Sequence, residues 1–181
     1  LLKSLWVLRP HIRSCDVIVA TTPHLWIGLV GALSSRLYRK PMVLDVRDLW
    51  PDVMIELDII REKSLLFRVL KKVERFIYRS AQRITYNSPS FADHIISEGG
   101  KPTACITNGI DDEYFQVLQA LEPNPTHRNP YIVTYAGNIG MAQDLEPLVE
   151  VAASFEGRLN FRLIGDGSDR KRIQRLINRK K

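Results

Sequence analysis

The chain has few of the residues that mark a metal or disulfide protein. Its two cysteines, Cys15 and Cys105, lie far apart, each beside or within an apolar strand-like run. That placement reads as buried free thiols in a reducing compartment rather than as a disulfide. No cysteine or histidine cluster has metal-ligand spacing, so neither a metal nor any other bound cofactor is expected. No apolar run is long enough to span a bilayer. Neither the dinucleotide fingerprint G-x-G-x-x-G nor the Gly-Lys-Ser/Thr of a P-loop occurs. Internal repeats and low-complexity tracts are also missing. There is no initial methionine: the chain opens Leu1-Leu2-Lys3 and closes Arg179-Lys180-Lys181, both inside helical patterns. We therefore expect a fragment, cut at both ends.

What is present is an ordinary globular composition over 181 residues, with 45% hydrophobic and 25% charged side chains. The net charge of +6 is unevenly placed. Residues 61–83 carry eight Lys/Arg and two Glu, and residues 168–181 carry seven Lys/Arg and one Asp. Each segment alone holds +6, and the remainder sums to −6. Two basic patches on an otherwise acidic chain permit nucleic-acid binding. No recognised module accompanies them, and no nucleic-acid partner is expected.

Apolar runs and helical patterns alternate along the chain. Strands are expected at Asp16–Ala20, Pro41–Val46, Arg83–Asn87, Ala104–Thr107, Tyr131–Tyr135 and Leu159–Ile164. Leu25–Tyr38 reads as a helix apolar on most faces, with Gly28 and Gly31 permitting close packing. A short helix is expected to end at Leu57. Lys63–Ser80 is the clearest helix: Leu66, Val69, Leu70, Val73, Phe76 and Ile77 make one apolar stripe. Ser88-Pro89 has the cap-then-proline order of a helix start, and Gly99-Gly100 that of a helix end. Because the strands are continuous apolar runs, the pattern implies parallel sheets covered on both faces. Residues 122–130, with three prolines and two asparagines, read as a linker. They divide the chain into two Rossmann-like units, 1–121 and 131–181, both incomplete. In such sheets ligands sit beyond the carboxyl ends of strands. The loops that matter are then Thr21–His24, Arg47–Asp52, Asn87–Ser90, Gly137–Gln143 and Gly165–Ser168.

One loop stands out. After the strand Tyr131–Tyr135, Gly137 and Gly140 break the pattern, and Leu145, Leu148, Val149 and Ala152 then recur at helical spacing. A strand, glycine loop and helix, capped by Asp144 or Gln143, points backbone N–H groups at one spot where a phosphate can sit. An ordinary strand-to-helix turn is the alternative.

Four stretches, in order, carry a family resemblance: Asp45-Val46-Arg47-Asp48-Leu49-Trp50-Pro51-Asp52; Thr107-Asn108-Gly109-Ile110-Asp111 with Phe115; Tyr135-Ala136-Gly137-Asn138-Ile139-Gly140; and Leu163-Ile164-Gly165-Asp166-Gly167. Together they resemble the retaining glycosyltransferases of family 4, with the GT-B fold, and especially the bacterial enzymes of capsule, O-antigen and colanic-acid synthesis. The resemblance implies two facing Rossmann-like domains, the first holding the acceptor and the second the nucleotide sugar. It implies a UDP-linked sugar as co-substrate and a lipid-linked or oligosaccharide acceptor. The enzyme would be cytoplasmic, peripheral at the inner face of the cytoplasmic membrane. The family's Glu-x7-Glu motif, which contacts the donor, has no counterpart in these residues. A truncated domain acting only in binding, or a GT-B sugar-nucleotide epimerase, are the competing readings.

On that resemblance Gly137, Asn138, Ile139 and Gly140 would hold the donor diphosphate through their backbone. Asp166, Gly167 and Arg170 stand near the donor, with turn chemistry and an exposed helix position as the plain alternatives. Arg47 and Asp48 are the catalytic candidates: Asp48 accepts from sugar hydroxyls, and Arg47 pairs with a phosphate or with Asp48 itself. Trp50 stacks on a sugar or lipid, or packs in the core. Thr22 and His24 meet acceptor phosphate, or His24 caps the following helix. The basic amphipathic helix over 63–80 suits an anionic membrane surface, unless its stripe packs on the sheet.

Overall fold

The computed structural model describes residues 2–121, 130–155 and 158–180. The chain divides into two compact units, Leu1–Asp111 and Asp112–Lys181. The linker expected over 122–130 lies outside the described residues, save Pro130.

In the first unit the element order is α1 (Leu2–Ser14), β1 (Ile18–Thr21), α2 (Leu25–Tyr38), β2 (Met42–Val46), α3 (Asp52–Glu56), α4 (Leu65–Ser80), β3 (Arg83–Tyr86), α5 (Phe91–Ser97) and β4 (Pro102–Cys105). The four strands are all parallel and lie in chain order, β1-β2-β3-β4. Ala20, Met42, Leu44, Val46 and Ile84 form the buried face of that sheet, closed by Leu25, Ala32, Leu70, Ile77 and Tyr78 from α2 and α4. The glycines expected to allow close packing do so. A Cβ on Gly31 would lie 2.8 Å from that of Ala20, and one on Gly28 3.1 Å from Ile77.

Cover on both faces of the sheet is not what the described residues show. Burial alternates along β2, and Val19 on β1 is 68% exposed. The reason is topological. With strands added in one direction and right-handed crossovers, successive connecting helices fall on the same face.

Helix α4 starts where Ser64 accepts the Phe67 N–H at 3.1 Å. Its expected apolar stripe divides. Leu70 and Ile77 are buried on the sheet, whereas Leu66 and Val69 face solvent beside Leu65. The Ser88-Pro89 start is displaced: α5 begins at Phe91, with Ser90 at its cap position and no side-chain cap bond. Residues 88–90 form a turn instead, closed by Phe91 N–H to Ser88 O and by the Ser88 and Ser90 hydroxyls 2.9 Å apart. The far end is as expected. Gly99 sits at φ 84°, and the N–H groups of Gly99 and Gly100 close on Ile96 O and Ile95 O, a Schellman stop.

The second unit contains α6 (Asp112–Ala120), β5 (Tyr131–Ala136), α7 (Glu146–Ser154), β6 (Leu159–Ile164) and α8 (Arg170–Lys180). β5 and β6 pair in parallel from Tyr131↔Leu159 to Ala136↔Ile164. Ile139, Leu145, Val149 and Ile173 are its buried core. The expectation of a fully buried strand at Tyr131–Tyr135 does not hold among the described residues: Tyr131, Ile132 and Val133 are exposed. A sheet of two strands has too few neighbours to enclose either one.

Candidate functional site

In the first unit the candidates gather at the carboxyl ends of β1 and β2. Thr22, just past β1, is buried. Its N–H donates to Asp45 O at 2.9 Å, and its hydroxyl accepts the Arg47 N–H at 2.9 Å. That stitch fixes where the chain leaves β2. The Arg47 side chain is fixed as well. Its Nε donates to Asp45 Oδ2 at 2.6 Å and its terminal nitrogen to Asn108 Oδ1 at 2.5 Å. Asp45 Oδ1 in turn accepts the Thr85 hydroxyl at 2.8 Å. The partner of Arg47 is therefore Asp45 rather than the expected Asp48. Strand geometry decides this, because residues two apart on an extended chain face the same way. Asp48 is exposed, and its carboxylate bonds nothing among the described residues.

Trp50 packs partly buried against the core, and its ring centre lies 6.2 Å from that of His24 at a 57° tilt. His24 holds the cap position of α2 but makes no side-chain cap bond. The capping role expected of it is absent, and the imidazole is left beside the indole. The structure thus brings Thr22, His24, Arg47, Asp48 and Trp50 to one end of one sheet. It adds Asp45, Thr85 and Asn108 as the residues that hold Arg47. Asn108 lay within a motif. Asp45 opened another motif and carried a further signal, a charge inside an apolar strand.

In the second unit the two glycine loops are laced together. Gly137 N–H donates to Ile164 O at 3.0 Å, Ile139 N–H to Asp166 O at 2.8 Å, and Asp169 N–H to Ile139 O at 3.0 Å. The approach is so close that a Cβ on Gly165 would fall 1.8 Å from Gly137 O, and one on Gly167 2.3 Å from Ile139 O. Of the four candidate backbone N–H groups, those of Gly137 and Ile139 are spent on this lacing. Those of Asn138 and Gly140 meet no acceptor among the described residues. The Tyr135 hydroxyl donates to Asn138 O at 2.7 Å, and the Asn138 amide to Gln143 Oε1 at 3.1 Å, so the loop's shape is set from both sides.

The helix does not follow directly. A short 3-10 turn, Met141–Gln143, and Asp144 at φ 38° intervene, and Leu145 takes the cap position of α7 with no side-chain bond. Neither Asp144 nor Gln143 is the cap. The first turn of α7 instead carries Glu146, paired with Arg172. Arg172 also grips Asp169, with Nη2 2.7 Å from Oδ2. Its hydrogen bonds hold the Asp169 carboxyl below the usual carboxylate range, and Asp169 and Glu146 raise the guanidinium in return. Asp166 Oδ1 accepts the Gly167 N–H at 2.8 Å, the expected turn chemistry. Its other oxygen lies 3.5 Å from Arg170, in a pair whose side chains are 78% and 61% exposed. Such a pair is weak, and Arg170 is easily recruited elsewhere.

Sequence reasoning missed a third cluster, again in the first unit. Lys71 Nζ on α4 lies 3.0 Å from Asp52 Oδ2 and 2.6 Å from both Glu74 Oε2 and Glu98 Oε1. Arg75 holds the second Glu98 oxygen at 2.7 Å. His94 Nε2 lies 2.8 Å from Glu74 Oε1 and 3.7 Å from Asp52 Oδ2. Glu74 is fully buried. Its hydrogen bond to His94 raises that imidazole above the ordinary histidine value, against the effect of burial. Burial pushes Glu98 up, but Lys71 and Arg75 together hold it below the ordinary glutamate value. Burial would lower Lys71, yet its three carboxylates keep it raised. Asp52, Glu74 and His94 bring three ligand-type atoms within 4.8 Å of one another, but the Lys71 ammonium already lies against the two carboxylates. The available signal was Lys71 and Glu74 flanking Leu70 and Ile77 on the packed side of α4.

A family model described as a glycosyl transferase 4-like domain matches residues 1–109. The probable glycosyltransferase WbjE of Pseudomonas aeruginosa is 25% identical over 169 residues, covering 89% of this chain and 42% of the relative. Among solved structures, Anabaena Alr3699/HepE in complex with UDP-glucose superposes with a TM-score of 0.66 at 19% identity, over 98% of this chain and 48% of that one. The apo form of the lipopolysaccharide outer core galactosyltransferase WaaB gives 0.60 at 16% identity, over 99% and 45%. At these identities the structural likeness speaks for the fold, which is that of GT-B glycosyltransferases. The chain spans less than half the length of these relatives.

Proposed function

Since the chain belongs to the glycosyl transferase 4-like family, we propose that it is the part of a retaining glycosyltransferase that contributes acceptor-side groups and one wall of the nucleotide-sugar site. The donor is a UDP-linked sugar, and the acceptor a lipid-linked or oligosaccharide chain of a bacterial surface polysaccharide. The observation that carries this reading is the laced pair of glycine loops, with the Asn138 and Gly140 N–H groups left unspent.

Glycosyl transfer breaks a bond to a diphosphate. Negative charge grows on the leaving group while the sugar ring turns cationic. N–H groups fixed before the reaction stabilise that negative charge without reorganising. Asn138 and Gly140 fill this role, with Arg170 free to swing from its weak pair with Asp166 towards a phosphate. On the acceptor side, Asp48 accepts from a sugar hydroxyl. Arg47, anchored through two of its nitrogens, presents its remaining N–H groups to an acceptor phosphate. His24 and Trp50 form an imidazole and indole surface for a sugar ring beside them. No metal and no other bound cofactor has a role in this scheme.

WbjE is named a glycosyltransferase, the HepE crystals hold UDP or UDP-glucose, and WaaB is named for lipopolysaccharide. These names support the donor and the polysaccharide role proposed for this chain. The start of α4 supports a membrane-associated acceptor. Leu65, Leu66 and Val69 are exposed there among Lys63, Arg68 and Lys72, a chemistry suited to an anionic lipid surface. No helix among the described residues is long and apolar enough to cross a membrane.

Isothermal calorimetry of UDP and GDP against the 181-residue chain tests the donor site. UDP is expected to release heat with a saturable isotherm. Silence for both nucleotides at millimolar concentration would remove the claim of a donor wall in these residues.

A further inference from the structure

The charged cluster around Glu74 has no part in the mechanism above, yet it touches the loop that does. It contains three carboxylates, Asp52, Glu74 and Glu98, facing Lys71, Arg75 and His94. With His94 protonated the cluster is neutral; with His94 neutral it carries one uncompensated negative charge in a place where Glu74 has no solvent at all. The ammonium of Lys71 already fills the position a divalent cation would take, so this is a clamp built from side chains rather than a metal centre.

What the clamp holds is Asp52. Its carboxylate is reached from α4 by Lys71 and from α5 by His94. Asp52 is also the first residue of α3, directly after Asp48-Leu49-Trp50-Pro51. We propose that Lys71 and His94 are positioning residues: by holding Asp52 from two helices they fix the Asp48–Pro51 turn, and with it the Trp50 ring against His24. The relevance of that turn to an acceptor rests on the function proposed above; the clamp itself does not. The groups acting on His94 are Glu74 and Lys71 from α4 and Asp52 from α3; the buried Tyr78 phenol from α4 and Glu98, just beyond the His94 helix, meet the cluster through Glu74 and through Lys71 and Arg75. The hydrogen bond from His94 to Glu74 raises the imidazole, so the charged His94 contact is complete below the ordinary histidine value and is lost as pH climbs through the higher folded one.

The test uses the full 181-residue chain labelled with 5-fluorotryptophan, which reports Trp6, Trp26 and Trp50 by fluorine NMR. Trp50→Phe assigns its signal. Asp52→Asn and His94→Gln are expected to move the Trp50 resonance by more than its linewidth and to leave Trp6 and Trp26 in place. In the parent chain the Trp50 signal should step with pH above the ordinary histidine range. His94→Gln should abolish that step, and His24→Gln, which removes the neighbouring imidazole, should not. Lys71→Met strips the fully buried Glu74 carboxylate of its ammonium and is expected to unfold the unit. Asp52→Asn is therefore the informative change, because it leaves Lys71 with Glu74 and Glu98. A Trp50 signal unmoved by both Asp52→Asn and His94→Gln would overturn the proposal. So would a pH step that follows His24 alone, or a shift of all three tryptophans together. No nucleotide or acceptor enters the measurement, so its failure is distinct from failure of the glycosyltransferase reading.

Discussion

Gly165→Ala tests the lacing of the two glycine loops at its tightest point. The new Cβ would lie 1.8 Å from Gly137 O, about half a van der Waals contact, and the residue would have to keep φ 154°. The two loops must part. That loosens the Gly137 N–H to Ile164 O and Ile139 N–H to Asp166 O bonds. Each such bond contributes about 1 kcal/mol net, and forcing an alanine into this backbone region costs about 1–3 kcal/mol, so the local cost is about 3–5 kcal/mol. Tenfold per 1.4 kcal/mol turns that into amide exchange at Gly137 and Ile139 about 100-fold faster or more. Hydrogen exchange by NMR reads both amides individually. The Ile84 amide in the first unit should not change, and neither should any amide in Gly109→Ala, where an added Cβ meets nothing within 4 Å. Calorimetric UDP binding should be lost with the loop's shape. If Gly165→Ala leaves exchange at Gly137 and Ile139 no faster than in the parent chain, the lacing is not what shapes this loop, and the reasoning fails.

Stability should depend on pH through the same charged cluster on two limbs, one set by His94 and one by Glu98. His94 is raised, so its contribution is complete below the ordinary histidine value and is lost as pH climbs through the folded one; His94→Gln should flatten that limb in urea melts. Glu98 is lowered, so its contribution is complete above the ordinary glutamate value and is lost as pH falls through the folded one; Glu98→Gln should flatten the acid limb. Leu44→Ala, at a position with no exposure in the first core, should cost about 2–5 kcal/mol by urea denaturation. The chain should sediment with phosphatidylserine vesicles at low salt and be released as ionic strength rises, and Leu65→Ser with Leu66→Ser should weaken that binding. Salt-insensitive binding, or none at low salt, would refute the surface reading of α4.

The strands and helices were legible because apolar runs alternate with periodic stripes, and that signal is local. Helix α2 and its packing glycines fell where Gly28 and Gly31 indicated, since only a residue without a side chain lets a helix ride this close to Ala20 and Ile77. What the sequence withheld depends on partners distant in the chain. Arg47 stands next to Asp48, but the pleat turns it to Asp45, and Asn108 reaches it from beyond β4. The stripe on α4 reads as one face in projection, but Leu70 and Ile77 are buried, Val73 and Phe76 only partly so, and Leu66 and Val69 stay outside. Two of the four N–H groups in the glycine loop were claimed by a strand residue and a turn that local pattern cannot pair with them. The Glu74 cluster was the least visible, because three helices supply it and each member alone looks like a solvated charge.

The strand order of the first unit has a consequence for how the chain is made. Each strand pairs with the one synthesised just before it, β2 on β1, β3 on β2 and β4 on β3. No strand must wait at the ribosome for a partner not yet translated. The growing sheet always offers a finished edge to the next segment to emerge, and each helix in between can settle on the exposed apolar face as soon as its flanking strands have met. The loops that carry Thr22, Arg47 and Asn87 all emerge at the same end of this sheet. The groups gathered at that end are therefore assembled in order of translation, and Asn108, which completes the hold on Arg47, arrives last.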